Sequence, residues 1–181
     1  KLRLLQHGKT DWIVVGGGDW QWTDTTHRRL RLARPTERTV AYMSTPRPPE
    51  GTWRCRLRLD KDTCGGGIMV LGDPEAETGF VCWLGGTYGD GGLMLYRQGV
   101  GALWSSPQGI WHWDTDYVLE ATVSSGTVST RLLKDDNETV LAASPEMPLT
   151  PEERNRTGMT GMHLWQGTGT FWGFCEGTLG G

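Results

Sequence analysis

The chain has 181 residues, among them 10 Trp, 27 Gly and 4 Cys, with 36% hydrophobic content and a formal net charge of -3. That length and apolar content fit one domain, residues 1–181, with a real core, and the acidic balance argues against a nucleic-acid partner. No apolar run approaches the roughly 18 to 20 residues needed to span a bilayer, so no membrane partner is expected.

The first residue is Lys1 rather than Met and no signal-peptide pattern follows, so the chain reads as a mature form or an excised domain. The first predicted strands are short: 12–15, 20–23, 29–33 and 40–43. The clearest strand is 52–60, where Trp53, Cys55, Leu57 and Leu59 take one face and Arg54, Arg56 and Arg58 the other. Gly65-Gly66-Gly67 is expected to break the chain before a strand at 68–71. Asp73-Pro74 marks a turn, Gly79 opens a strand at 80–84, and a Gly-rich loop at 85–92 precedes one at 93–97. Turns this short cannot hold crossover helices, so 52–97 is predicted to be an antiparallel meander.

Farther along, Tyr117, Leu119, Ala121 and Val123 alternate against Val118, Glu120 and Thr122. Strands at 128–133 and 139–142 follow turns at Ser124-Ser125-Gly126 and Asp135-Asp136-Asn137. The single good helix signal is Thr150 to Arg154, where Thr caps, Pro151 takes the first turn and two acids follow. Strands at 161–166 and 170–176 close the chain. About a dozen strands of this length imply two packed sheets or a barrel. No repeat of 20–50 residues is visible, which disfavours a propeller.

The indoles are the main functional signal. Trp12, Trp20 and Trp53 are assigned to the core or to sheet ends. Trp83, Trp104, Trp111, Trp113 and Trp165, with Tyr88 and Tyr96, lie in or beside Gly-rich turns and strand ends. Two or three of these exposed together would make a platform for the C–H face of a pyranose ring, and rigid aromatics lose little entropy on binding. In the loop 85–92, Tyr88 would stack and Asp90 would accept hydroxyl protons, against the plainer reading of a flexible hairpin turn. The expected ligand-binding set is Trp83, Tyr88, Asp90, Arg97, Trp104, Trp111 and Trp113.

His112, Asp114 and Asp116 gather an imidazole and two carboxylates, while His7, His27 and His163 are scattered singles. Asp114 and Asp116 with backbone carbonyls are the weak candidates for a metal, which would be calcium. The arginines outnumber the lysines, 14 to 4. Arg54, Arg56 and Arg58, with Arg29 and Arg31, either hold uronate carboxylates or pair with Glu120, Glu176 and other acids across strands. Cys55, Cys64, Cys82 and Cys175 show no CxxC spacing, and buried thiols and any of three disulfide pairings remain open.

The order of these segments, from Asp11-Trp12-Ile13-Val14-Val15 and Gly18-Asp19-Trp20-Gln21-Trp22 through Gly51 to Leu59, Gly79-Phe80-Val81-Cys82-Trp83, Tyr117 to Val123 and the closing Gly161-Met162-His163-Leu164-Trp165, resembles the concanavalin A-like lectin and glucanase superfamily. The likeness is greatest to its laminin-G-like and keto-glycoside-hydrolase-like branch and spans nearly the whole chain. The resemblance implies an all-β jelly roll of two antiparallel curved sheets, glycan binding, and in several families a structural calcium. Retaining glucanases of that superfamily carry an acid-x-acid-x-x-acid strand, and no such triplet occurs here. Asp114-x-Asp116 followed by Glu120 is the nearest approach.

The function expected is therefore a non-catalytic carbohydrate-binding domain of a secreted or periplasmic bacterial carbohydrate-active enzyme, with a polysaccharide or oligosaccharide partner and no cofactor beyond that calcium. The alternatives are a glycoside hydrolase or polysaccharide lyase using Asp90, Asp114, Asp116, Glu120 or His112, and a laminin-G-like protein-interaction module.

Overall fold

A computed structural model describes residues 2–4, 12–23, 29–44, 46, 49–86 and 90–177. Two antiparallel sheets pack face to face as a jelly-roll β-sandwich, confirming the expected class. The first sheet contains β1 (Leu2–Leu4), β3 (Trp20–Trp22), β4 (Arg29–Leu32), β6 (Gly51–Leu59), β12 (Asp116–Ser124), β13 (Thr127–Lys134), β14 (Val140–Ala143), β15 (Met147–Pro148) and β17 (Gly169–Gly177). Its order is β14-β13-β12-β6-β17-β4-β3, with β1 also on β17 and β15 on β13. The second sheet contains β2 (Trp12–Val15), β5 (Arg38–Met43), β7 (Gly65–Asp73), β8 (Thr78–Gly85), β9 (Asp90–Arg97), β10 (Gly101–Ser105), β11 (Trp111–His112) and β16 (Met159–Trp165). Its order is β10-β9-β8-β7-β16-β5-β2, with β11 on β9.

Alternation in β6 builds the core as expected. Trp53, Cys55, Leu57 and Leu59 are buried, while the three arginines between them face outward. From β12, Leu119, Ala121 and Val123 join them. Ile68, Val70, Phe80, Cys82, Leu84, Leu93, Leu95, Met162 and Leu164 meet them from the second sheet. Each such side chain contributes about 1.5–3 kcal/mol by leaving water. Trp53 is core, and Trp12 and Trp20 pack on its margin. The helix α1 (Pro151–Arg154) has the expected Thr150 cap, and a capping box in which Glu153 reaches back to the Thr150 N–H. All four cysteines are free thiols. Burial pushes the Cys82 thiol up to about 12.

Two expectations change. The stretch 52–97 is not one meander, because β6 pairs with β12 and β17 in the first sheet while β7 to β10 form their meander in the second. The turn at 60–64 carries the chain from one layer to the other, and local turn chemistry does not say which neighbour a strand chooses. Gly65-Gly66-Gly67 does not break the chain but opens β7, paired on both sides, with Gly67 opposite Trp83 of β8 and His163 of β16. Gly67 lies there because backbone crowds it: a Cβ would stand 2.0 Å from the Cys82 carbonyl oxygen.

Candidate functional site

The outward face of the second sheet is set by strand parity. From β8 it presents Val81 and Trp83, from β9 Met94 and Tyr96, from β16 His163 and Trp165, and from β5 Arg38 and Val40, each alternating with a core residue. Gly65 and Gly67 lie between β8 and β16. A Cβ on Gly65 would meet the Trp83 ring at 2.9 Å, so glycine is what lets the large side chains of the flanking strands lean together over β7. The Trp83 and Trp165 ring centroids are 5.6 Å apart, tilted at 47°, with His163 edge-on to Trp83 at 5.6 Å and Tyr96 at 6.3 Å.

These side chains line a cavity of about 580 Å³ together with Arg38, Met94 and Gln98. A smaller depression of about 180 Å³ adjoins it, sharing Arg38 and Gln98 and adding Tyr42 and Glu77. Within the larger one, the polar groups are sparse and specific. His163 is 4% exposed, and its Nε2 accepts a hydrogen bond from Arg38 Nε at 3.2 Å. Burial first, and the Arg38 charge second, push its pKa down to about 3, so the ring is neutral and carries its proton on Nδ1. Nδ1 of His163, Nε1 of Trp83 and Oε1 of Gln98 are all buried without a hydrogen-bond partner.

Of the residues expected to bind ligand, Trp83 lies in this cavity. Trp111 does not: it is fully buried, its Nε1 donating to the Gly85 carbonyl at 3.1 Å. Trp113 is half-buried against the same core and donates to the Thr63 carbonyl at 2.9 Å. Trp104 misses the cavity because β10 carries a bulge between Ala102 and Trp104. Ala102 lines the cavity, whereas Leu103 and Trp104 both turn onto the core. Arg97 alternates with Tyr96 and so faces the other way, over the Phe80 ring and bonded to Glu153 and the Pro148 carbonyl. Tyr88 lies outside the described residues, as does the Asp90 side chain. His7 and His27 also lie outside them.

The acidic candidates Asp114, Asp116 and Glu120 each have a partner in the fold. Asp116 is bonded to Arg58 Nε at 2.6 Å, and Asp114 accepts from the Lys61 N–H at 3.2 Å. Glu120 is clamped by Arg54 and Arg131. Burial raises its pKa, but the hydrogen bonds and charges of the two arginines outweigh that and hold it below the usual range. A general acid needs the opposite shift. His112 is exposed on β11, its N–H donating to the Tyr117 hydroxyl. Of the two calcium candidates, Asp116 is paired with Arg58 and Asp114 accepts the Lys61 N–H on one oxygen. No three His, Cys, Asp or Glu side chains among the described residues are grouped to hold a metal.

The arginine stripe takes its structural alternative. Arg54 and Arg131 pair with Glu120, Arg56 with Asp135, Arg58 with Asp116 and Arg31 with Asp60. Arg29 stacks on Trp172 at 4.8 Å. β17 separates β4 from β6, so the two arginine strands are not neighbours.

Arg38, Met94, Gln98 and His163 carry no motif, and their gathering was not readable in advance. Trp165 and Tyr96 belong to the wider aromatic set, and the two-residue spacing of His163 and Trp165 was the one local signal that they share a face.

No family model matches the sequence, and no curated protein matches it. Solved structures do. The carbohydrate binding module CBM66 from Bacillus subtilis superposes with a TM-score of 0.71 at 12% identity, covering 93% of this chain and 96% of that one. A functionally unknown protein from Saccharomyces cerevisiae gives 0.70 at 13% identity, covering 98% and 100%. The exoplasmic/lumenal domain of VIP36, in a Ca2+/Man3GlcNAc-bound form, gives 0.64 at 10% identity, covering 99% and 91%. At these identities the likeness is one of fold: the chain shares with these structures the jelly-roll β-sandwich that the order of its segments implied.

Proposed function

We propose that this protein binds carbohydrate in the cavity on the outer face of its second sheet, as a non-catalytic module of a secreted carbohydrate-active enzyme. The observation that carries the reading is the cluster of Trp83, Trp165 and Tyr96 over a glycine-floored strand, around about 580 Å³ of open volume. Indole faces offer the C–H side of a sugar ring a flat apolar surface, and the glycines hold them in place without crowding. Gln98 adds an amide to the lining for hydrogen bonding to sugar hydroxyls. The likeness to a carbohydrate binding module and to a domain seen with Man3GlcNAc supports the same reading. Non-catalytic binding is favoured because no carboxylate among the described residues lines the larger cavity. Two-carboxylate glycosidases flank the scissile bond with a pair roughly 5–9.5 Å apart.

Affinity gel electrophoresis over a polysaccharide panel, with product analysis on the same incubations, tests it. Retardation without new oligosaccharides is expected, and Trp83→Ala is expected to weaken it at least about tenfold, the loss of one aromatic anchor, while leaving the melting temperature within a few degrees. Undiminished retardation in a folded Trp83→Ala protein would place the site elsewhere, and released products would make the protein an enzyme.

A further inference from the structure

Resting on that reading, we infer that the sugar taken by this cavity is acidic, and that Arg38 binds its carboxylate. Six other arginines, Arg31, Arg54, Arg56, Arg58, Arg97 and Arg131, each have a carboxylate partner. Arg38 has none among the described residues. Its one hydrogen bond there is from Nε to His163, which leaves the donors on both terminal nitrogens unused. Glu77 shares only the smaller depression with it and makes no ion pair with it.

The surroundings sharpen this into a carboxylate site. His163 beneath Arg38 is neutral, so it orients the guanidinium through an uncharged acceptor and does not cancel its charge. The proton on its buried Nδ1 also lacks an acceptor. Apart from Gln98, the remaining lining is apolar or small: Val81, Trp83, Met94, Tyr96, Ala102 and Trp165, with Gly86 and Gly99. A cation flanked by apolar walls attracts an anion more strongly than one at an open surface. A planar guanidinium with two free edges matches a carboxylate, and charge-assisted bonds of this kind are about twice as strong as neutral ones. A neutral sugar would stack on the indoles but leave the half-buried Arg38 guanidinium with no anion to pair with. The ligand class is therefore a uronic-acid-containing glycan, its ring on Trp83 and Trp165 and its carboxylate on Arg38.

The test compares polygalacturonate and alginate with the same chains after carboxyl reduction to neutral sugars, using the wild-type protein, Trp83→Ala, Arg38→Ala and Arg38→Lys, each checked for an unchanged melting curve. The wild type is expected to bind at least one acidic chain at least tenfold more tightly than its reduced form, and to lose that preference as salt rises. Arg38→Ala is expected to bring the acidic chain down to the level of the reduced one, with Arg38→Lys between. Trp83→Ala is expected to lose both. Equal binding of acidic and reduced chains, or of a neutral glycan only, still abolished by Trp83→Ala, overturns the carboxylate assignment and leaves the sugar site standing. Acidic binding indifferent to both Trp83 and Arg38, or no binding to any chain, overturns the two together. The acidic-against-reduced comparison in the wild type decides the matter even if Arg38→Ala fails to fold.

Discussion

The two outward faces of the sandwich solve the same problem in opposite ways. On the first sheet, arginines at alternate positions of β6 are each answered in place by an acid from a neighbouring strand or turn: Glu120, Asp135 and Asp116. On the second, the alternate positions carry aromatics over a glycine floor. There the Arg38 guanidinium, beside an open volume, keeps free donors, while an imidazole Nδ1, an indole N–H and an amide oxygen among the lining residues are left buried without partners. A face whose polar groups are already satisfied has little to offer a ligand. A buried group left unsatisfied costs the folded state about 1–3 kcal/mol, and a ligand that satisfies it recovers that cost. Counting arginines or tryptophans does not separate the two faces, whereas asking which polar atoms still lack a partner does.

The largest expected effect contrasts two indoles. Trp111→Ala removes a fully buried side chain and the hydrogen bond to Gly85, and should cost about 3–5 kcal/mol in urea denaturation. Trp83→Ala should cost far less stability and far more affinity. A Trp111→Ala protein that keeps full stability but loses glycan binding would reverse the assignment of the two indoles.

Acid should strike the second sheet before the first. With a folded pKa of about 3 against 6.5 for a free imidazole, His163 favours the unfolded state, which binds the extra proton, as pH falls from 6.5 toward 3. By pH 5 that amounts to roughly 2 kcal/mol, at about 1.4 kcal/mol per pH unit. Glu120 carries the opposite charge type. Its lowered pKa contributes stability that is fully present above 4.5 and lost only at more acid pH. His163→Gln should therefore flatten the stability curve between pH 6.5 and 5 and leave the steeper loss below pH 4.5. An unchanged curve in the upper window would mean that His163 is protonated in the folded protein.

The smallest effect is the sharpest for function. Arg58→Ala breaks a half-exposed pair with Asp116 and should change stability by at most about 1 kcal/mol. Binding of acidic glycans should stay the same. If calorimetry instead showed affinity falling with Arg58 replaced and Arg38 intact, the arginine-rich face would be the binding face.

Much of this architecture is local and was legible. The strict alternation of Trp53, Cys55, Leu57 and Leu59 with Arg54, Arg56 and Arg58 defines a strand with one wet face, because side-chain direction along an extended chain has a period of two. Thr150, Pro151 and Glu153 are enough for a capped turn of helix, since all the bonds involved lie within four residues. The site was less legible. Trp83 was a fair expectation, but Trp104 faces the core because of a bulge, and Trp111 and Trp113 because β11 and the turn after it lie against the packed interior. A bulge leaves no reliable mark in composition, and an indole beside a glycine-rich turn looks the same whether the turn folds over it or away from it.

Most of the longer strands, their wet and dry faces and the sandwich class could be read from the chain, because they follow from periodicity, turn chemistry and the amount of apolar surface to be buried. The short strands Gly101–Ser105 and Trp111–His112 were not foreseen. Which strand lies beside which depends on long-range packing that no local pattern encodes. The pairing of β7 with both β8 and β16 brings Trp83 and Trp165, 82 positions apart in the chain, to a centroid distance of 5.6 Å over a glycine strand. The pairing of β16 with β5 sets Arg38 on His163. Those contacts join residues far apart in the chain, and only closure of the second sheet supplies the free energy to hold them together.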